Sequence, residues 1–310
     1  MTALRARRRG GCGRTVGLLA GLVVLFALAS GALWYLRSRP PAPAPAVAGA
    51  PPATAVPSPT VAPLPAATPR PSSVPSDFEP ARGSGRGAIA VVIDDVGNAD
   101  GSLERLARLD GPLAIAVLPG APRAREAAAL AKRKGWDLLV HLPMEGARGP
   151  AEPETISSGD EDAEIARRVA AAIDRVPGAS GLNNHQGSLA TADRRVVRAV
   201  LSVVRERGLF FLDSRTSAAS VAAEEARALR LATIPRDVFL DDARAEAAAE
   251  GGAPEALAAA WSRSLALAAS KGHAVVIGHP SASTVDFLAA SLPALDGRGV
   301  LRVKVSELVD

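Results

Sequence analysis

From residue 87 onward, short hydrophobic runs alternate with longer, alanine-rich amphipathic segments. The runs have the length of β-strands and predict strands at Ala88–Asp94, Ala114–Leu118, Asp137–Leu142, Gly181–Asn183, Leu209–Asp213, Ala232–Leu240, His273–Gly278 and Leu301–Val305. The segments between them have helical periodicity and predict helices at Gly101–Leu109, Pro122–Lys134, Asp160–Ile173, Asp193–Arg207, Ser217–Leu229, Ala253–Lys271 and Ser283–Leu295. Seven or eight β/α units predict a deformed or incomplete (β/α) barrel. An open doubly wound sheet is the alternative, although no glycine-rich phosphate loop follows the first strand.

A different hydrophobic segment lies near the amino terminus. Thr15–Leu36 is a 22-residue run without a charged side chain, long enough to cross a bilayer core of roughly 30 Å. Five arginines precede the run and two follow it closely, so the positive-inside rule places residues 1–14 in the cytoplasm. We therefore expect a transmembrane signal anchor at 15–36 in the inner membrane, with the rest of the chain in the periplasm. A cleaved signal peptide is the alternative.

The segment that follows, residues 37–86, is rich in Pro, Ala, Ser and Thr and predicts a disordered linker before a folded domain at 87–310. The formal net charge is +4, but seven arginines lie before Pro40 without an acidic residue, which leaves 29 basic and 32 acidic side chains beyond it. This balance is not typical of nucleic-acid binding, and we predict no nucleic-acid partner. The only cysteine, Cys12, lies before the hydrophobic run, so the exported domain forms no internal disulfide.

Polar side chains stand where the predicted strands end. The first strand ends in the adjacent carboxylates Asp94 and Asp95, which are costly to bury unless a positive group lies beside them. Later strands end in His, Asp, Asn or Arg, and the carboxyl ends of parallel strands share one face, so we expect these side chains to converge. Because neighbouring side chains on a strand diverge, one acid can bind a metal while the other faces water or substrate.

Three histidines are candidates for this face. His141 lies at a strand end, and Pro143 disfavours a regular helical pair between it and Glu145. His185 lies in the polar segment Asn183–Gln186, whose side chains could instead satisfy backbone groups in a turn. Gly278 and Pro280 flank His279 and restrict the backbone that aims its imidazole. The fourth histidine, His273, precedes its strand and is interpreted as structural.

The motifs IDD.G, HLPME, GLNNHQGS, FLDSRT, RDVFLD and IGHP occur in this order across Ala88–Asp310 and resemble the divergent polysaccharide deacetylase family. The resemblance implies a deformed β/α barrel related to the metal-dependent carbohydrate esterases, which remove acetyl groups from N-acetylated sugars of cell-wall polysaccharide or exopolysaccharide. It also implies that Asp94 is a general base and Asp95 a metal ligand. The esterases place two histidines four residues apart in the second motif, whereas this chain has His141 and Glu145.

The resemblance further implies a divalent metal, with zinc the first candidate, bound by Asp95, His141 and a third ligand. Either His185 or Glu145 can supply that ligand, and the metal would keep open positions for water. His279 corresponds to the late histidine of the esterases and would protonate the departing amine.

Four further residues are candidates for the same pocket. Arg236 and Arg215 can orient the acids by bidentate pairing, and Asp213 adds a carboxylate. Each of these three could equally belong to a structural ion pair. Asn184 is a further candidate from the polar segment beside His185.

These expectations together describe a membrane-anchored, periplasmic, metal-dependent carbohydrate deacetylase that hydrolyses the C–N bond of acetamido groups on an envelope or extracellular glycan. Most of the six aromatic residues beyond residue 87 occupy core-like positions, so a short glycan or an exposed chain end is expected as the ligand. A noncatalytic envelope protein that keeps the fold to bind a glycan or a protein partner is the alternative. A metal-assisted hydrolase of an ester or glycosidic bond would use the same residues.

Overall fold

The computed structural model of the protein describes residues 87–98, 101–148, 152, 154–242 and 252–309. The predicted cytoplasmic segment, membrane anchor and linker lie outside the described residues. Within the described ranges, no helix combines the length and the apolar character needed to cross a bilayer.

In the described residues, nine parallel strands form one sheet: β1 (Ala88–Val96), β2 (Ala114–Val117), β3 (Asp137–Met144), β4 (Gly181–Gln186), β5 (Phe210–Asp213), β6 (Thr233–Pro235), β7 (Val238–Phe239), β8 (His273–Gly278) and β9 (Leu301–Arg302). Their order is β6-β5-β4-β3-β2-β1-β8-β7, and β9 pairs with the start of β1. Strands β6 and β7 stand at opposite ends of this order, although only Arg236 and Asp237 separate them in the chain. A link this short spans at most about 11 Å, so the sheet must curl until its two edges approach each other. The predicted incomplete barrel is confirmed at this level.

Helices connect the strands and cover the outside of the curled sheet: α1 (Ser102–Leu106), α2 (Ala124–Lys134), α3 (Asp162–Arg175), α4 (Arg194–Glu206), α5 (Ala222–Leu229), α6 (Ala253–Lys271), α7 (Ala282–Ser291) and α8 (Ala294–Gly297). Two predicted elements are wrong in their continuity. The strand predicted at Ala232–Leu240 is two strands, β6 and β7, because the chain passes there from one edge of the sheet to the other. The helix predicted at Ser283–Leu295 is α7 and α8, which are separated at Pro293, a residue that cannot donate a helical hydrogen bond.

The strands are buried on both faces, and alternate residues serve two separate cores. Ile89, Val91 and Ile93 of β1 pack toward the helices, in the core that we call the outer core. Ala90 and Val92 belong to a smaller core on the other face, shared with Leu139 of β3, Leu212 of β5 and Ile277 of β8, which we call the inner core. A side chain with the same parity as the inner core therefore points into the barrel, and one with the opposite parity points toward the helices.

Candidate active site

Most side chains of the site have the parity of the inner core and lie just beyond the last apolar residue of a strand. Two positions after Val92 comes Asp94, two after Leu139 comes His141, and two after Ile277 comes His279. The same alternation places Asn183 and His185 of β4 inward, together with Arg236 after β6 and Asp241 after β7. These side chains lie at the carboxyl edge of the barrel, where an α/β barrel holds its active site.

Three of the predicted residues form a compact cluster of possible metal ligands: Asp95, His141 and His185. Asp95 Oδ1 lies 3.1 Å from His141 Nε2 and 2.9 Å from His185 Nδ1. The two imidazole nitrogens are themselves 3.1 Å apart. Three donor atoms thus occupy the corners of a nearly equilateral triangle, close to the spacing of about 3.3 Å between two ligands of a tetrahedral zinc ion.

Asp95 reaches this cluster only because the strand is irregular at that point. By parity Asp95 should face the helices, opposite to Asp94. Instead, the pairing of β1 with β2 shifts register between Ile93 and Val96, and Asp95 adopts a left-handed backbone with φ of 56°. Aspartate tolerates this conformation better than most residues, and such strain is commonly found at functional sites. The bulge turns both carboxylates toward His141, so the adjacent acids do not diverge as a regular strand predicts.

A hydrogen-bonded network orients His141. Asn183 Nδ2 donates to Asp94 Oδ1 at 2.8 Å and to Ser214 Oγ at 3.2 Å. The amide oxygen of Asn183 therefore faces His141 Nδ1, 2.8 Å away, and accepts its proton. In the neutral imidazole this leaves Nε2 with a free lone pair directed at the cluster, which is the usual way an outer partner orients a metal-binding histidine.

The cluster fits a divalent cation on grounds of its own chemistry. Asp95 Oδ1 is buried, and within the described residues no hydrogen bond satisfies it. An anionic oxygen and two imidazole nitrogens that converge in this way repel one another unless a proton or a cation lies between them. One carboxylate oxygen and two imidazoles are also a donor set typical of zinc and similar ions, and they leave positions open for water.

The charged states of the surrounding groups agree with a site that attracts positive charge. Burial raises the pKa of Asp94 above its usual range, although His141 opposes the shift. Burial alone would raise the pKa of Asp95, but the imidazoles of His141 and His185 outweigh it and lower the pKa. Burial would likewise lower the pKa of His141, but the charges of Asp94 and Asp95 prevail and raise it. Without a metal, the site therefore favours a proton on His141, which a bound cation would displace.

His279 lies on the loop after β8, which pairs with β1 on the side away from β3 and β4. Its Nε2 lies 3.9 Å from Asp95 Oδ2, and 37% of its side chain is exposed. Asp241 Oδ1 lies 2.9 Å from His279 Nδ1, and Asp241 Oδ2 accepts hydrogen bonds from the backbone N–H of His279 and from Thr284 Oγ1. Burial alone would lower the pKa of His279, but the hydrogen bond and charge of Asp241 raise it to about 9. His279 is thus a cationic, accessible proton donor with a fixed orientation.

The two residues considered as the third ligand, His185 and Glu145, have different surroundings. Glu145 lies in the loop after β3, where its Oε2 accepts hydrogen bonds from Ser157 Oγ, from the backbone N–H of Ser158 and from Ser158 Oγ. These bonds hold the carboxylate against the 157–158 turn, away from the cluster. His185, by contrast, lies within the triangle described above. Of the two candidates, His185 therefore has the position of a third ligand, while Oε2 of Glu145 is engaged by Ser157 and Ser158.

Two other candidates hold loops together. Asp213 has the parity of the outer core, and its carboxylate accepts from the backbone N–H of Arg215 and from Ser220 Oγ. Asn184 Oδ1 accepts from the backbone N–H of Ser214, and its Nδ2 donates to the Gln186 carbonyl. Neither side chain belongs to the cluster of possible metal ligands. Their hydrogen bonds stabilise the loops at the carboxyl edge of the sheet.

The two arginines lie at this edge but do not pair as expected. Arg236 donates from Nε to the Ser214 carbonyl and from Nη2 to the Arg215 carbonyl. Arg215 is exposed and follows Asp213 with a left-handed φ of 46°. Within the described residues neither guanidinium comes within 4 Å of a carboxylate, so the predicted bidentate pairing with an acid is not formed.

Sequence reasoning missed two residues of this site. Asn183 stood in the polar segment but was not assigned a role, and Asp241 was not assigned at all although it lies in the RDVFLDD segment. A usable signal exists for Asp241, which follows Phe239 of the inner core by one alternation. Asn183 has inward parity because its neighbour Leu182 packs toward the helices. That signal requires knowing which face of a doubly buried strand is the inner one.

Comparison with known proteins agrees with the fold and the motif order. The model of the family described as divergent polysaccharide deacetylase matches residues 91–309. The protein YibQ of Escherichia coli (strain K12) is 34% identical over 203 residues, which are 65% of this chain and 61% of that protein. A Haemophilus influenzae protein is 34% identical over 208 residues, 66% of this chain and 70% of its own. The chain thus spans about three fifths of the E. coli relative.

Among solved structures, the crystal structure of the protein ATU2773 from Agrobacterium tumefaciens C58 is similar with a TM-score of 0.66. Its sequence identity is 21%, and the match covers 72% of this chain and 90% of that one. At this identity the likeness concerns the fold alone.

Proposed function

Because the chain belongs to the divergent polysaccharide deacetylase family, we propose that it is a metal-dependent hydrolase that removes acetyl groups from an N-acetylated glycan. One observation carries the proposal. The unsatisfied oxygen of Asp95 meets the free nitrogens of His141 and His185 between a buried carboxylate, Asp94, and an accessible histidine, His279. This arrangement places a cation site, a base and an acid around one point at the open end of the barrel.

Asp95, His141 and His185 would hold the cation. When bound, it would supply a Lewis acid for the acetamide carbonyl and lower the pKa of a coordinated water. Asp94 has the geometry of the base: Asn183 occupies its Oδ1, whereas Oδ2 faces the cluster and lies 3.7 Å from His141 Nε2. Its burial raises the pKa, which makes the carboxylate a better proton acceptor.

His279 is the corresponding acid. Its Nδ1 is held by Asp241, so Nε2 carries the proton that can pass to the departing amine of the sugar. Asp241 also stabilises the cationic imidazole and keeps its ring from rotating. Asp94 and His279 thus have complementary roles, the first accepting a proton and the second donating one.

The proposed substrate is a short glycan or a chain end. Of the aromatic residues in the described part of the chain, Trp136, Phe210, Phe211 and Trp261 are buried, and Phe239 and Phe287 are half-buried. None of them offers the exposed ring surface on which a long polysaccharide stacks. With the hydrophobic run at 15–36 as its anchor, the protein would act on a glycan in the periplasm, attached to the inner membrane.

The full-length protein tests this proposal directly. We expect about one equivalent of zinc or a similar ion by elemental analysis, and acetate released from chitooligosaccharides or peptidoglycan fragments. Release of free sugar in place of acetate would indicate a glycosidase. A protein that remains metal-free after reconstitution, and releases nothing, would indicate the noncatalytic envelope protein instead.

A prediction for Asp241 separates positioning of the acid from metal binding. We expect Asp241→Asn to lower kcat by about 10²-fold or more, because His279 loses the carboxylate that fixes its tautomer and stabilises its cation. Metal content should not change, since Asp241 touches none of the three proposed ligands in the described contacts. Steady-state kinetics and elemental analysis on the same preparation measure both.

The matched control is Asp286→Asn, which removes an exposed carboxylate of α7 that pairs with Arg108 on the surface. It should leave both kcat and metal content at the wild-type level. An unchanged kcat in Asp241→Asn, or a loss of metal from it, would contradict the assigned role.

A further inference from the structure

Arg236 is held rigidly beside the proposed active site. Its guanidinium donates at 2.7 Å to the Ser214 carbonyl and at 2.9 Å to the Arg215 carbonyl. The same group lies 3.7 Å from the centre of the Phe239 ring, which stacks in turn on His279 at a ring separation of 6.1 Å and an angle of 18°. Arg236, Phe239 and His279 therefore form a stack, with the proposed acid at one end and a fixed cation at the other.

Within the part of the chain that the structure describes, no carboxylate forms an ion pair with this guanidinium. Of the four other half-buried arginines of the described chain, Arg123, Arg168 and Arg302 each form an ion pair with a carboxylate, whereas Arg105 forms none and its buried Nε has no hydrogen-bond partner. Arg236 is equally half-buried, yet within the described residues no carboxylate comes within 4 Å of it. A partly desolvated cation normally has such a partner, since burial without one costs free energy.

Arg215 makes the imbalance larger. It lies next to Arg236, and burial together with the positive charge of Arg215 lowers the pKa of Arg236. Three carboxylates, Asp213, Asp242 and Asp94, attract Arg236 without coming within 4 Å of its guanidinium. Of these, Asp213 accepts from the backbone N–H of Arg215 and Asp94 accepts from Asn183. Both arginines thus lie at the carboxyl edge of the barrel, and within the described residues neither forms an ion pair with a carboxylate.

We propose that Arg236 and Arg215 bind an anionic group, a carboxylate or a phosphate, carried by the glycan next to the sugar that loses its acetyl group. This inference rests on the proposed function and narrows its substrate to an acidic glycan. Arginine forks bind carboxylate and phosphate oxygens in pairs, and Arg236 is already oriented by its two backbone acceptors. Because Phe239 and His279 separate Arg236 from the cluster, the anion belongs to a neighbouring part of the substrate and is not the acetyl group itself.

Three acetylated oligosaccharides of equal length test the proposal with the full-length protein: one neutral, one with a uronic acid and one with a phosphate next to the reacting sugar. We expect wild-type kcat/KM to favour an acidic substrate over the neutral one by about 10- to 100-fold. In Arg236→Gln and Arg215→Gln the ratio of kcat/KM for the acidic substrate to kcat/KM for the neutral one should fall toward one, because KM for the acidic substrate rises. If the preference is for the uronic acid substrate, the ligand is a carboxylate; if it is for the phosphorylated substrate, the ligand is a phosphate.

Arg263→Gln is the matched control, because Arg263 is an exposed arginine on α6 that no described ion pair involves. It should keep the full preference. Arg215 is exposed, so its replacement should not affect folding, and Arg236→Lys keeps a positive charge where Arg236→Gln loses it. Equal kcat/KM for the neutral and acidic substrates in the wild type, or a preference that both variants retain, would overturn the inference.

Binding of the deacetylated products, measured by calorimetry, separates this inference from the proposed function. If no substrate releases acetate but the acidic product binds about 10-fold or more tightly than the neutral one, and Arg215→Gln removes the difference, the hydrolase proposal fails and the anion site stands. If the neutral substrate releases acetate and no preference appears in either measurement, the hydrolase stands and the anion site fails.

Discussion

Replacement of Asp95 by asparagine is expected to abolish stoichiometric metal binding and to lower the rate of acetate release by at least about 10³-fold. Asp95 supplies the only anionic oxygen of the cluster, and that oxygen has no hydrogen bond in the described structure. Asparagine has nearly the same shape and tolerates the left-handed φ of 56°, whereas alanine would add backbone strain. Elemental analysis and kcat on the full-length protein measure the two effects.

Two further variants make this result specific. His185→Ala should lose the metal as Asp95→Asn does, because it removes a second corner of the triangle. Glu145→Gln should keep the metal, since its carboxylate is bound to Ser157 and Ser158. The opposite pattern, with the metal retained in His185→Ala and lost in Glu145→Gln, would make Glu145 the third ligand in place of His185. Thermal unfolding of the metal-free proteins checks that the fold persists in each.

Asp94→Asn is expected to show the complementary behaviour, with the metal retained and kcat lowered by about 10² to 10⁴-fold. The amide keeps an oxygen that can accept the hydrogen bond from Asn183, so the network around His141 can persist. It cannot accept a proton from the attacking water, which is the role proposed for Asp94. Elemental analysis and steady-state kinetics with a neutral acetylated oligosaccharide measure the two effects.

Asp213→Asn provides the comparison, because Asp213 is as buried as Asp94, at 2% exposure each, but faces the outer core. Its replacement should cost stability and change kcat much less. If Asp94→Asn released the metal, Asp94 would have to be counted among the ligands. If both variants lost activity to the same extent, the effect would belong to the edge of the barrel as a whole and not to a base.

The element pattern could be predicted from the sequence because strand runs and amphipathic helices have different periods. The predicted bounds of α6 and β8 coincide with those in the structure. The division of Ala232–Leu240 could not be predicted in this way, since a continuous apolar run does not show that its two halves pair with opposite ends of the sheet. Local residues determine an element, whereas the partners of a strand depend on the whole chain.

Part of the candidate site could also be predicted from the sequence. Asp94, His141 and His279 could be singled out because each ends a hydrophobic run, and the parallel arrangement brings such ends to one edge. The choice between His185 and Glu145 could not be made from spacing. It depends on the register of β3 with β4 and on the turn at residues 157–158, which holds Glu145.

The sequence by itself determined the strands, the helices and the polar residues that end them, because these follow from the period and composition of short segments. Only the tertiary structure decided which of those residues meet. Strands buried on both faces are apolar at every position, so their sequence does not tell which parity points inward. Pairing with neighbouring strands makes that choice: it turns Asp95 toward His141 through a bulge, directs Asp213 to the outer core and brings Arg236 to the carbonyl of Ser214.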